Sequence, residues 1–488
     1  MRFVITPPER IAAETAQQAY LSGIDRVSWQ VQATLDGNEL AVRRAVSDSG
    51  NLHIPWDVDG HGRLTLSTGS LIERAQPYHL PLELARGTLS RLRSQIGDWQ
   101  SIGLSVPEKV GKRIHQAMGY LGRAAVTQAN LAVCAEMAEK ALSIALDAAD
   151  LLVASYIDQA IAVRRRAGGK LPCLLAGDLG VSLLDDYTAR QFLLSFNAAV
   201  VPISWREIEA SEGSRYWTVS DKQIQWGKKH GLTICGGPLL LCDSRGLPDW
   251  VYLWEDDFDS LQSCASEFIT AAVTRYRGQV DLWQCAGRLN SADILSLSEE
   301  ERLRLAAHCV ELTRSLDPDT PAVICFDQPW AEYMSHRELD FPPLHFADAL
   351  IRAGLEMSGL MLEINLGYYP GGTLPRTPLE FSRQLDYWGM LGLPLYVSLT
   401  VPSADHDDPL AQRTVKLAAG TASAKTQQAW VARYVPLILS KPYVRGVLWN
   451  QLRDSEPHDF PHGGLFDLRR HPKPALRALA SIRQAHLR

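Results

Sequence analysis

The chain has 488 residues, which is too long for one compact core and predicts two or three domains. Its 46% hydrophobic and 21% charged residues are typical of ordinary globular proteins rather than disordered ones. The formal net charge of −6 and the lack of long Lys/Arg runs argue against a nucleic-acid partner, and no apolar run approaches membrane-spanning length. Because two prolines and charged residues follow the first six residues, we expect no secretion signal and a cytoplasmic location.

Eight cysteines are spread along the chain, and none of them forms a CxxC pair. Several lie in apolar, strand-like runs, which favours small buried side chains over a disulfide framework or a zinc site. We therefore expect no metal site, no cofactor and a reducing compartment.

Residues 1–85 carry short alternating runs that are broken by turn residues. The run at 27–35 alternates apolar and polar residues and leads into Asp36-Gly37, which is a hairpin signal. Further runs of this kind follow at 39–46 and 63–72. The pattern predicts a small β-sandwich-like domain.

Residues 86–168 change character and are rich in Ala, Leu, Glu and Gln, with apolar residues at spacings of three and four. Pro107 begins one helical stretch, and residues 125–166 contain neither Gly nor Pro before Gly168-Gly169 ends the pattern. We predict a helical connector that packs on the domain after it.

From residue 169 to the C-terminus, β-type runs alternate with amphipathic helical stretches. Eight largely apolar runs are present, at residues 172–177, 198–203, 232–237, 280–286, 321–326, 359–365, 394–400 and 445–450. Eight βα units over this length predict an α/β fold, namely a closed parallel (β/α)₈ TIM barrel. An open doubly wound sheet is the alternative, but no GxGxxG phosphate loop follows a strand.

Several stretches of the predicted barrel resemble the family-ten glycoside hydrolases, the xylanase family. They occur in the family's order and are FNAAVVP at 196–202, WGKKHGL at 226–232, LPDWV at 247–251, RYRGQV at 275–280 and GLPLYV at 392–397. The resemblance covers roughly residue 169 to the C-terminus. It implies a barrel whose partner is an oligo- or polysaccharide of neutral sugars.

The two catalytic glutamates that the resemblance implies are missing. In the family, the acid/base follows an Asn at the end of strand four, and the nucleophile follows a Thr on strand seven. Here these pairs are Gly287-Arg288 and Ser398-Leu399, and neither Arg nor Leu can replace a glutamate in this chemistry. We expect Arg288 and Leu399 to project towards the vacated positions, and we expect no hydrolysis of xylan.

Polar residues remain at the C-terminal ends of the predicted strands, where TIM barrels hold their active sites. Glu363 and Asn365 share one face of strand six, and Asp327 follows strand five. Asp327 and Glu363 are the candidate catalytic pair, unless Glu363 is simply held by Arg288 as an ion pair. We predict that these four residues form one cluster. The remaining polar candidates for ligand binding are Asp178, Gln328 and Asn450.

Aromatic residues offer possible stacking surfaces for sugar rings. Trp330, Tyr368 and Tyr369 either form a platform at the barrel mouth or pack loops. Trp29 and Trp56 either bind glycans or belong to the core of the N-terminal domain, and the core interpretation is favoured.

Three functions fit these features: a glycan-binding barrel whose family chemistry is lost or altered, an active hydrolase with relocated carboxylates, and a structural or interaction protein. The sequence leaves the sugar, the linkage and the oligomeric state open.

Overall fold

A computed structural model describes residues 1–166, 169–418 and 421–488. The first 79 residues form two four-stranded sheets and two short helices, Pro8–Arg10 and Ala13–Gln17. The strands are Arg2–Val4, Tyr20–Ser22, Ser28–Trp29, Gln32–Asp36, Glu39–Arg43, Asn51–Val58, Gly62–Ser67 and Tyr78–His79. Asp36 pairs with Glu39 across a two-residue turn, and Gly37 there has a φ of 57°, which a glycine adopts without strain.

Three long helices follow these sheets, at Leu80–Ser101, Glu108–Val126 and Leu131–Arg166. Pro107 is the residue directly before the second helix, as the sequence indicates. The sequence also predicts that Gly168-Gly169 ends the third helix, but Gly168 lies outside the described residues. Trp99 and Tyr156 stack with ring centroids 4.1 Å apart, and the buried Lys441 ammonium lies 4.6 Å from the Tyr156 ring. This contact packs the helices onto the segment that follows.

The remainder of the chain is a closed barrel of eight parallel strands, which confirms the predicted (β/α)₈ fold. Strand eight pairs with strand one, so the sheet has no free edge there. Barrel strands one to eight are Leu174–Asp178, Ala198–Val201, Thr233–Gly236, Leu282–Gly287, Ala322–Asp327, Gly359–Asn365, Leu395–Thr400 and Val444–Trp449.

Helices surround the barrel and connect its strands, and several begin with side-chain caps. Ser298 and Glu301 form a capping box, and Thr377 caps a helix whose first residue is Pro378. The helices are Asp186–Ser195, Trp205–Ile208, Thr218–Lys229, Asp249–Trp254, Phe258–Tyr276, Glu299–Leu316, Glu332–Ser335, Pro343–Arg352, Pro378–Gly389, Ala424–Ser440 and Pro474–His486. Short strands in the loops are Leu240–Leu241, Tyr368–Tyr369 and Lys416–Leu417.

Alternation along the strands divides the barrel core into two layers. Small and medium side chains fill the interior, and they are Ala176, Ala198, Val200, Cys235, Leu282, Val323, Cys325, Met361 and Leu448. The opposite faces pack against the helices in the largest buried cluster. All eight cysteines lie within the described residues and are unpaired. No helix in the described part of the chain is long and apolar enough to span a bilayer.

Candidate functional site

Polar side chains line a cavity of about 190 Å³ inside the carboxyl-terminal end of the barrel, here called the inner cavity. Each comes from the last inward-facing positions of a strand or from the loop after it, which is where this fold concentrates its functional groups. Those that face the cavity from the strands and their ends include Asp178, Gln284, Arg288, Glu363, Asn365, Ser398, Thr400 and Asn450.

Arg288 binds Glu363 through two parallel hydrogen bonds. Its Nε lies 3.1 Å from Glu363 Oε2, and its Nη2 lies 2.5 Å from Glu363 Oε1. Both side chains are buried, and Asn365 Nδ2 donates a further hydrogen bond of 2.9 Å to Glu363 Oε1. This bidentate geometry satisfies both oxygens of the carboxylate.

The same guanidinium also binds two carboxylates from distant loops. Arg288 Nη2 lies 2.7 Å from Asp459 Oδ2, and Arg288 Nη1 donates to Asp243. Together with the arginines that bind these carboxylates, the group forms a layer of three cations and three anions, here called the mouth cluster. Its members are Asp243, Arg245, Arg288, Glu363, Arg413 and Asp459.

Three guanidinium groups of the mouth cluster act on the carboxyl group of Asp459. Burial alone would raise the pKa of Asp459, but the guanidinium groups of Arg288, Arg245 and Arg413 hold that pKa well below its usual range. Arg245 Nη1 lies 2.5 Å from Asp459 Oδ1, and Arg413 Nη2 lies 2.9 Å from Asp243 Oδ2. The cluster is therefore a neutral, internally paired layer.

Sequence reasoning did not identify four members of the mouth cluster: Asp243, Arg245, Arg413 and Asp459. These residues lie in the loops that follow barrel strands three, seven and eight, far from Arg288 along the chain. The general tendency of βα loops to meet over the barrel mouth was the available indication, but it does not select particular residues.

Asp327 is next to Glu363 in the sheet register but makes no hydrogen bond to the mouth cluster within the described chain. The predicted four-residue cluster therefore forms only in part. Asp327 Oδ2 accepts hydrogen bonds from Ser291 Oγ at 3.2 Å and from Gln328 Nε2 at 3.0 Å. Burial, with a smaller contribution from the Glu363 charge, raises the Asp327 pKa to about 6.

Asp178 ends barrel strand one and lines the inner cavity. Gly180 N donates a hydrogen bond of 2.7 Å to its Oδ1, and burial raises the pKa of this carboxyl to about 7. Directly after the neighbouring strand eight, Asn450 accepts a hydrogen bond from Ser398 and places its Nδ2 3.5 Å from Asn365 Oδ1. These residues give the inner cavity both donors and acceptors.

Of the two interpretations of Trp330, Tyr368 and Tyr369, the contacts of these rings favour loop packing over a sugar-stacking platform. Trp330, Tyr368 and Tyr369 are not among the described residues that line the barrel-mouth cavities. Tyr368 is fully buried against Phe460, with ring centroids 4.8 Å apart, and Trp330 packs on Phe381. The alternative interpretation, loop packing, describes these rings.

Two tryptophans of the N-terminal sheets, Trp56 and Trp29, differ in how far they are enclosed. Trp56 is 1% exposed and donates a hydrogen bond of 2.9 Å to Glu139. The Arg44 guanidinium lies 3.6 Å from the centre of the half-buried Trp29 ring. Trp56 is a core residue, as the favoured interpretation has it, and Trp29 is covered by a cation on one face.

Leu399 does not point towards the barrel axis, so this expectation is wrong. Leu399 is fully buried with Val397 in the layer between barrel and helices, whereas Ser398 and Thr400 face the inner cavity. The inward positions of strand seven are therefore hydroxyl side chains. Arg288, by contrast, does face the mouth, with a left-handed φ of 63°.

Residues 196–287, which include barrel strands two to four, match the family model described as Glycosyl hydrolase family 10. Native xylanase 10B from Thermotoga maritima is 16% identical over 66% of this chain and 97% of that chain, with a TM-score of 0.49. Xylanase 10B from Thermotoga petrophila RKU-1, solved in complex with xylobiose, is 16% identical over 64% of this chain and 94% of that chain, with a TM-score of 0.49. A thermostable mutant of Xyn10A from Cellvibrio japonicus is 16% identical over 63% of this chain and 96% of that chain, with a TM-score of 0.47.

Proposed function

We propose that this protein binds a neutral oligosaccharide of the xylan type in its inner cavity and does not perform family-10 hydrolysis. The observation that carries the proposal is the lining of the inner cavity by amide, hydroxyl and carboxyl groups from several strand ends. Such groups exchange hydrogen bonds with sugar hydroxyls, and a few of them in a concave site suffice to orient a small ligand. The segment match to a glycosidase family supports a sugar as that ligand.

The arrangement of charges argues against double-displacement hydrolysis. A retaining glycosidase needs a protonated carboxyl and a free carboxylate about 5 Å apart. Arg288 stands at the end of strand four and keeps its proton near neutral pH, while strand seven presents Ser398 and Thr400. Hydrolysis through Asp327 and Glu363 is the weaker alternative, because Arg288 already occupies both oxygens of Glu363.

Isothermal titration calorimetry with xylobiose tests the binding, and a reducing-sugar assay on xylan tests the chemistry. We expect measurable binding by the wild-type protein, and no sugar release above a buffer control. Asn450→Ala removes a side chain that lines the cavity and should weaken xylobiose binding about tenfold, as the loss of a well-placed hydrogen bond does.

Asn38→Ala, an exposed change in the N-terminal hairpin, is the matched control and should bind like the wild type. Turnover of xylan that disappears in Glu363→Gln would instead establish a hydrolase with relocated carboxylates. Absence of any sugar binding would leave a structural or interaction role.

A further inference from the structure

The inner cavity lies on the barrel axis and is closed at its base and sides. Val200, Cys325 and Leu448 line it, and the same three side chains belong to the interior layer of the barrel core. Each of the eight barrel strands, or the loop directly after it, contributes at least one lining residue. The sheet therefore surrounds the inner cavity, which is not a groove that runs across the mouth.

The mouth cluster closes the inner cavity from above. Four of its six members line the inner cavity, and two of these, Arg245 and Arg288, also line a second cavity of about 800 Å³, here called the outer cavity. The ion pairs of the cluster join the loops after strands three, seven and eight across the mouth. The mouth cluster is therefore a partition between the two cavities.

Hydrogen bonds also fix the loop after strand eight, whose residues 456–460 all line the inner cavity. Gln412 N donates to His458 O at 2.9 Å, and His458 N donates to Leu410 O at 3.1 Å. The His458 ring Nε2 lies 3.0 Å from Asp408 Oδ2. These contacts attach the loop to the one after strand seven, so this wall is held in place.

The inner cavity has one open side. Among the described residues that line it, only Val181, Glu207 and Pro457 are exposed, and all three also line the outer cavity. They lie in the segments after strands one, two and eight, which are neighbours in the sheet. A saccharide chain can enter between these segments, but the described lining offers it no second exit. Only the end of a chain can therefore reach the inner cavity.

The volume of the inner cavity suits one sugar ring. It measures about 190 Å³, and a cavity of about 150 Å³ in another protein holds one benzene ring. A single pyranose ring with its hydroxyl groups fits such a space, whereas two linked rings do not.

Two polar groups without protein partners face the inner cavity. Neither the side-chain amide of Gln284 nor Oδ2 of Asp178 makes a hydrogen bond within the described part of the chain. Both residues are half-buried, and neither group is fully enclosed by protein. These groups are therefore accessible to the hydroxyls of a ring in the inner cavity.

We propose that the inner cavity binds a single sugar unit at the end of a chain and does not bind the interior of a chain. The choice of a sugar rests on the proposed function, whereas the limit to one terminal unit rests on the closure and the volume of the inner cavity. Units beyond the first leave past the three exposed residues and add little to the affinity.

The length dependence of binding tests this inference. Calorimetry with xylose, xylobiose and xylohexaose should give dissociation constants within about threefold of one another for the wild-type protein, because each sugar places one ring in the inner cavity. A larger difference between any two of these lengths would overturn the single-unit site and leave the proposed function standing. If none of the three sugars binds, the proposed function fails and this inference fails with it.

Gln284→Leu removes the free amide but keeps most of the bulk of the side chain. It should weaken the binding of all three sugars about tenfold and by the same factor. Asp293→Asn is the matched control, because it changes an exposed carboxylate that lines only the outer cavity, and it should leave all three affinities unchanged. Unchanged binding in Gln284→Leu, or a loss for xylohexaose alone in Asp293→Asn, would contradict a single ring held in the inner cavity.

Discussion

At the scale of the residue, Arg288 is the group on which the charges of the barrel mouth converge. It is 7% exposed and contacts the carboxylates of Glu363, Asp459 and Asp243. Removing the guanidinium group from water costs free energy, and the ion pairs with all three carboxylates offset that cost. Arg288 thus places at the barrel mouth a cation that neutralises its neighbours.

Replacing Arg288 should destabilise the protein strongly. Arg288→Met leaves the buried Glu363 carboxylate and the half-buried carboxylates of Asp243 and Asp459 with too little positive charge, and we expect a loss of about 3 to 5 kcal/mol in the free energy of unfolding. Urea denaturation measures this loss. Arg352→Met, which breaks an exposed pair with Asp348, should change stability by no more than about 0.5 kcal/mol. An Arg288→Met protein as stable as wild type would contradict the buried-cluster account.

Asp178 predicts a pH dependence of stability. Its carboxyl has a pKa of about 7 in the folded protein, against an ordinary value of 3.8 in the unfolded chain. Between these values the folded protein holds a proton that the unfolded chain has released, so the contribution of Asp178 to stability falls as the pH rises through this window.

Asp178→Asn should remove that decline and make the protein more stable than wild type at pH 8 by about 1 to 2 kcal/mol, with little difference near pH 4. Urea denaturation at several pH values provides the comparison. The exposed control Asp186→Asn should follow the wild-type curve. If the free energies of unfolding of the wild type and of Asp178→Asn change in parallel with pH, the raised pKa of Asp178 is ruled out.

At the scale of the element, barrel strand seven shows how one residue of register decides which side chains can act. Leu395, Val397 and Leu399 pack against the helices, while Ser398 and Thr400 face the cavity. Since successive side chains of a strand point to opposite faces, a glutamate at 399 would enter the apolar layer.

Introducing glutamate at adjacent positions of strand seven therefore gives opposite results. Leu399→Glu buries an unpaired charge and should destabilise the protein by more than about 3 kcal/mol without creating xylan hydrolysis. Ser398→Glu directs the same side chain into the polar cavity, and we expect a smaller loss. Thermal unfolding and the reducing-sugar assay distinguish the two, and equal stability of both variants would contradict the observed register.

At the scale of the whole molecule, the N-terminal sheets pack against the loops after barrel strands five and six. Arg376 and Glu332 form a buried ion pair there, and Arg376 Nη2 lies 3.0 Å from the hydroxyl of Tyr20. Backbone bonds reinforce the contact, with Thr65 N donating to Pro375 O at 2.7 Å. This packing accounts for the position of Trp330, over which Arg376 lies at 5.4 Å from the ring centre.

Breaking this pair should loosen the sheets from the barrel. Arg376→Met leaves Glu332 buried without its cation, and we expect a loss of about 3 kcal/mol in the free energy of unfolding. Adding Glu332→Gln to the same chain should recover part of the loss, since the uncompensated charge is then gone. Limited proteolysis should detect faster cleavage within residues 1–79 in the single variant. Unchanged stability and cleavage would contradict the role of the pair.

The sequence alone determined the barrel and part of its site. The sequence contains eight apolar runs of strand length, and a helical pattern follows each of them. Such runs are recognised from local periodicity, so the sequence predicts their number and order directly. The pairing of Arg288 with Glu363 followed from the same reasoning, because strands wound in sequence order bring their ends together.

Tertiary structure alone decided which groups complete the site and which face each strand presents. Asp243, Arg413 and Asp459 lie in loops whose paths depend on packing over the barrel mouth, and no local pattern encodes those paths. The expectation that Leu399 faces the barrel axis is wrong because an error of one residue in the register of a strand exchanges its inward and outward positions. Trp330 and Tyr368 pack within loops and do not present open ring faces, because the N-terminal sheets and the loop at Phe460 cover them. These contacts join residues far apart in the chain, so no local pattern predicts them.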